Sequence, residues 1–147
     1  MFPHGLYFAG DYSTIPSENL IKQNVTLEDS TDYYAIGDKS LKITGTATSS
    51  FVRFVYPITS AEIGKSISAS LKIFSKNHDG NVYLNAFNSS NQSLINRSVS
   101  YSVDSETSVS FSEVTIPDET SYIALTVNFS AGVDSIRYVD KIFLTIQ

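Results

Sequence analysis

The chain contains no cysteine and no tryptophan, and has one methionine and four prolines in its 147 residues. Without thiols there can be no disulfides, thiolate metal sites or cysteine nucleophiles. No apolar run approaches the roughly 20 residues that a membrane-spanning helix needs. Lysine and arginine nowhere form a block and the formal net charge is −5, so nucleic-acid binding by phosphate neutralisation is not expected. The mild acidic balance serves solubility and points to no partner. Met1-Phe2-Pro3-His4-Gly5 lacks the basic start and apolar stretch of a signal peptide, so either export by that route is not expected or Met1 begins an excised piece.

Catalytic signatures are missing as well. The two histidines, His4 and His78, fall in the N-terminal stretch and in a turn. There is no Gly-x-Ser-x-Gly elbow, His-x-x-x-His pair or phosphate loop. Asp118-Glu119 sits in turn company beside Pro117. The expectation is a protein that is not an enzyme, although two distant carboxylates of the glycosidase kind would leave no local pattern.

What the chain does have is a β composition. Hydrophobic residues make up 41% and charged residues 17%, with serine, threonine and asparagine carrying much of the polar surface. Threonine is β-branched and suits strands, whereas serine and asparagine favour turns. Five Asn-x-Ser/Thr triplets, starting at Asn24, Asn88, Asn91, Asn96 and Asn128, are what chance gives in such a composition, so no glycosylation is inferred.

Residues 1–17 show no clear period and hold Pro3, Gly5, Gly10 and Pro16; they are expected to be an extended N-terminal arm or lead-in, with one β-sandwich domain over 18–147. Asn19-Leu20-Ile21 offers a short strand, followed by a polar stretch through Asp38. From there the period-2 signal is plain. Ser40 to Thr44 alternates, Phe51 to Tyr56 is apolar on both faces except Arg53, and Ser66 to Ile73 places Ile67, Ala69, Leu71 and Ile73 on one side. Asn77 to Asn81 reads as a turn in which Asp79-Gly80 can supply a positive φ. Beyond it Val82, Leu84 and Ala86 form one row and Tyr83, Asn85 and Phe87 the other. Residues 93–101, 108–116, 121–129 and 136–146 give four more strands. Eight or nine strands at roughly ten-residue spacing, with no amphipathic helix, predict an all-β antiparallel sandwich or jelly roll.

Four segments also carry a family resemblance: Asn19-Leu20-Ile21, Gly37-Asp38-Lys39-Ser40-Leu41-Lys42-Ile43, Gly64-Lys65-Ser66-Ile67-Ser68-Ala69, and Tyr138-Val139-Asp140-Lys141-Ile142-Phe143-Leu144. In this order, over about 125 residues, they resemble carbohydrate-binding modules of the galactose-binding-like jelly-roll type, as found in phage tail or baseplate proteins and bacterial surface proteins. The chain departs from that pattern in having no tryptophan, and in having Ile67 where a tyrosine often follows Gly-Lys. The resemblance implies non-catalytic recognition of a cell-surface polysaccharide or glycan, outside the cell or on a virion. The alternative is a structural or assembly domain with no sugar ligand, in a homo-oligomer or larger assembly.

Sugar recognition needs an aromatic face for the C–H side of the ring and amides or charged groups for its hydroxyls. Tyr83, Asn85 and Phe87 present that chemistry on one strand, and Lys72, Ser70, Arg53 and Tyr101 would join them if their strands lie adjacent. The other reading is that Tyr83 and Phe87 pack under a loop or against the second sheet. Tyr33-Tyr34, in the polar stretch, is either an exposed recognition pair or loop packing over a sheet end. Asp140 interrupts an apolar strand, and a carboxylate there requires a partner. The resemblance implies a structural Ca²⁺ held by Asp140 with Glu18, Asp38 and the carbonyl of Lys39. A salt bridge from Asp140 to Lys39 or Arg137 is the alternative.

Overall fold

The computed structural model describes residues 4–8, 17–31, 40–47, 49–76, 78–129 and 135–147. Among them eleven strands run as β1 (His4–Phe8), β2 (Leu20–Gln23), β3 (Val25–Ser30), β4 (Ser40–Gly45), β5 (Ser50–Pro57), β6 (Ser66–Ser75), β7 (Gly80–Phe87), β8 (Ser93–Tyr101), β9 (Glu106–Thr115), β10 (Tyr122–Phe129) and β11 (Ile136–Ile146). Among the described residues helical structure is confined to two 3-10 turns, Ser17–Asn19 and Ser60–Glu62. One sheet has the order β3-β4-β11-β6-β9 with β1 also paired to β11, and the other has the order β2-β5-β10-β7-β8. All the strand ladders among the described residues are antiparallel. The expected antiparallel jelly-roll sandwich is therefore the fold.

Strict alternation builds the core. On β6 the row Ile67, Ala69, Leu71 and Ile73 is buried while the intervening residues are half-exposed. On β7 the row Val82, Leu84 and Ala86 is buried, as the sequence pattern predicts. Ile43, Leu71 and Val139 of the first sheet meet Val52, Phe54 and Leu125 of the second in one apolar cluster. Each such side chain removed from water contributes roughly 1.5–3 kcal/mol.

Two strands lie beyond the sequence expectation. Residues 4–8, within the stretch read as an extended lead-in, pair with Ile142–Ile146 of β11. Val25–Ser30 pairs with β4, inside the stretch read only as polar. On β3 Val25 is buried and Leu27 half-buried while Thr26 and Glu28 are exposed, the alternation of a strand with one face on the core. Its Glu-Asp-Ser end hides the alternation.

Bulges correct the phase of long strands. Between Asp140 and Phe143, β11 has one residue more than β6. Lys141 takes that position with φ 54°, so inward facing passes from Val139 to Ile142. Glu113, also at φ 54°, does the same for β9. Gly80 corrects an expectation: its φ is not positive, and what requires glycine is the Tyr101 ring, whose hydroxyl would overlap a Cβ there.

Candidate functional site

The side of the second sheet away from the core carries a groove of about 260 Å³, lined by Phe51, Arg53, Tyr83, Asn85, Phe87, Ser93, Asn96, Thr126 and Asn128. Strand register explains the convergence. Thr126 of β10 stands opposite Arg53 of β5 on one side and Tyr83 of β7 on the other, and Ala124 stands between Val55 and Asn85. Outward residues of β8 continue the row, with Ser98 opposite Tyr83 and Asn96 opposite Asn85. Small side chains on the middle strand form the floor, and longer ones on its neighbours form the walls. A bulge lies at one wall: Ala86 pairs with Ile95 but Phe87 pairs with Ser93, leaving Leu94 as the extra residue.

The floor is a polar network. Asn85 is buried; its Nδ2 donates to the Ile95 carbonyl at 3.3 Å and to Asn96 Oδ1 at 3.2 Å. Its Oδ1 accepts from the Thr126 hydroxyl at 3.4 Å. Phe87 is 7% exposed, stacked on Tyr122 with ring centres 5.0 Å apart. The Tyr122 hydroxyl donates to Asn91 Oδ1 at 2.9 Å, tying this wall to the turn after β7. In that turn the Asn88 side chain accepts from the backbone N–H groups of Ser90 and Gln92.

Arg53 crosses the groove. Its guanidinium carbon lies 4.6 Å from the Phe51 ring centre and 4.8 Å from that of Phe87, a double cation–π contact. Its Nε is buried with no hydrogen-bond partner among the described residues. Half-buried Tyr83 lines the groove and has no side-chain hydrogen bond or ring contact among the described residues. None of the nine lining residues is acidic.

The sequence-predicted set is thus partly assembled. Tyr83, Asn85, Phe87 and Arg53 come together. Phe87 is a wall whose ring is taken up by Tyr122 and Arg53 rather than a free stacking surface. Lys72 must be removed: it lies on β6 of the other sheet, opposite Ser108 of β9 and Asp140 of β11. Ser70 shares that sheet. Tyr101 ends β8 but is buried in the core, where its hydroxyl accepts from Arg137 Nε at 2.8 Å. Tyr33, Tyr34 and Lys39 lie outside the described residues.

Phe51, Ser93, Asn96, Thr126 and Asn128 were not singled out from sequence. Thr126 and Asn128 do fall in phase as the polar row of β10, which is the signal that marks them. The outer face of the first sheet has its own hollow, lined among others by Ser68, Ser70, Ser110, Ser112 and Phe143, but it holds no amide or charged group.

For calcium, Asp140 is buried and its Oδ1 accepts from the Lys141 N–H at 2.8 Å. Glu18 is exposed in the turn before β2. No cluster of three or more His, Cys, Asp or Glu residues occurs among the described residues. Asp38 and Lys39, the other residues expected to hold the ion, lie outside the described residues.

No family model and no curated protein sequence matches the chain. Solved structures do. The chain is similar to the C-terminal family 22 carbohydrate-binding module of Clostridium thermocellum Xyn10B, with TM-score 0.71, 11% identity, and coverage of 95% of this chain and 94% of that one. It is similar to the CBM22-1 xylan-binding domain of Paenibacillus barcinonensis Xyn10C, with TM-score 0.67, 8% identity, and coverage of 99% and 97%. A third likeness is to the enzymatically active domain of bacteriophage CBA120 tailspike protein 4, with TM-score 0.62 and 10% identity, spanning 87% of this chain but 19% of that one. The class defined is the jelly-roll fold of carbohydrate-binding modules. At these identities the likeness is one of fold, and the chemistry rests on the groove itself.

Proposed function

We propose that the chain is a non-catalytic carbohydrate-binding module that holds a polysaccharide or glycan in the groove crossing β5, β10, β7 and β8. The observation that carries this reading is Tyr83. It is a half-buried aromatic without side-chain hydrogen bond or ring contact among the described residues, set among the side-chain amides of Asn85, Asn96 and Asn128. The ring stacks on the C–H face of a sugar while amides and the Thr126 hydroxyl bond its hydroxyls; no bond in the ligand is broken. Support comes from the family 22 modules of the same fold, one of them described as xylan-binding. The finer part of the reading is a setting at the cell exterior or on a virion, in a tail or surface protein, for which the tailspike likeness is the support.

The test is a glycan array with purified protein beside Tyr83→Ala. Saturable binding that the variant weakens at least about tenfold, some 1.4 kcal/mol, upholds the reading. Silence across plant, algal and bacterial polysaccharides would overturn it in favour of an assembly role.

A further inference from the structure

The charge inside the groove is one-sided. Arg53 is the sole ionised residue among the nine that line it. It makes no hydrogen bond or ion pair with any described residue, yet it is held in place by Phe51 and Phe87. A cation drawn partly out of water without a counter-charge is costly, and two aromatic faces offset only part of that cost. Such a guanidinium is suited to a carboxylate: planar, oppositely charged and able to accept two parallel N–H bonds. A sugar hydroxyl would accept one bond and leave the charge unanswered.

We propose that the groove selects acidic polysaccharides, with Arg53 pairing to the carboxylate of a uronic acid residue while Tyr83 and the surrounding amides hold that sugar and its neighbour. This rests on the glycan-binding reading and narrows its ligand. The net charge of −5 provides no general attraction for polyanions, so the preference is local to the Arg53 contact and not a property of the whole surface. Arginine rather than lysine is the fitting residue, because a lysine ammonium supplies neither the planar fork nor the flat stack between two rings.

The experiment compares polymers of one backbone. Calorimetric titrations are run with glucuronoxylan and polygalacturonate, each beside the same polymer after chemical reduction of its carboxyl groups to alcohols. The expected result is at least about tenfold tighter binding of one acidic polymer than of its reduced partner. That preference is expected to vanish in Arg53→Gln and to be mostly lost in Arg53→Lys. Equal affinity for both members of every pair overturns the inference and leaves the carbohydrate-binding reading standing. A preference that survives in Arg53→Gln overturns the role of Arg53. Tighter binding to a sulfated galactan than to either uronate polymer overturns the carboxylate in favour of a sulfate ester. Binding to none of these polymers overturns the uronate inference, and only together with silence across the glycan array does it overturn the carbohydrate-binding reading as well. The wild-type comparison needs no variant, so a folding defect in Arg53→Gln does not decide the matter.

Discussion

The Tyr101 hydroxyl accepts a hydrogen bond from Arg137 Nε at 2.8 Å, linking the end of β8 in one sheet to β11 in the other. Both residues are buried, Arg137 completely. The same guanidinium donates to the Asp79 carbonyl at 3.3 Å and lies over the Tyr101 ring at 5.5 Å. This contact sits at an end of the sandwich where apolar packing gives way to polar bonds. Removing the hydroxyl leaves a buried charged donor short of a partner, which costs about 1–3 kcal/mol. Tyr101→Phe is therefore expected to lower the unfolding free energy by that amount, read as a lower urea midpoint at an unchanged slope, since the surface exposed on unfolding is nearly unchanged.

The same contact sets a dependence on alkaline pH. Burial raises the Tyr101 pKa above its ordinary 10.0, against the opposing pull of the Arg137 charge and hydrogen bond. Tyr56 is also raised, by burial first and then by its neighbour Glu62. Near pH 10 the unfolded chain releases these protons while the folded chain keeps them. The stability they contribute is thus fully present below the unfolded pKa and is lost as pH rises through the folded values. Unfolding titrations between pH 8 and 11 should show stability falling at the upper end, with a shallower fall in Tyr101→Phe.

Asn85 tests whether the groove floor is a built polar network. It is buried, donates to the Ile95 carbonyl and Asn96, and accepts from Thr126. Asn85→Leu keeps about the same volume but strips a bonding partner from the buried Thr126 hydroxyl and from the Ile95 carbonyl. A loss of about 1–3 kcal/mol in stability is expected, together with weaker glycan binding because Asn96 is no longer held. An unchanged denaturation curve would show that the network adds nothing to the fold.

Much of this arrangement was legible in the sequence, and what was hidden has identifiable causes. Alternation told which face of its own strand each residue occupies, so the row Tyr83, Asn85, Phe87 separated from Val82, Leu84, Ala86 without error. Period 2 carries no information on which strands are neighbours. Lys72 and Arg53 looked equally eligible, yet one lies on β6 of the first sheet and the other on β5 of the second. Phe51 stands two residues before Arg53 on the same face of β5, but that the Arg53 guanidinium also reaches Phe87 depends on how long side chains lie across the small ones of β10. Bulges were hidden too: neither Lys141 nor Glu113 is a residue type that advertises a positive φ.

The separation of the two sheets gives a final, discriminating prediction. Lys72 is half-buried on the outer face of β6, where Asp140 stands opposite it on β11. Tyr83 lies on the outer face of the other sheet, with the core between them. Lys72→Ala should leave glycan affinity within about twofold of wild type, below the 0.5 kcal/mol within which distant sites add independently. Tyr83→Ala should reduce it at least about tenfold, and the double variant should match Tyr83→Ala alone. Affinity gel electrophoresis of the three variants in one polysaccharide gel reads all of these at once. If Lys72→Ala weakens binding as much as Tyr83→Ala does, the ligand reaches the β6 face, and the groove on the second sheet is not where recognition occurs.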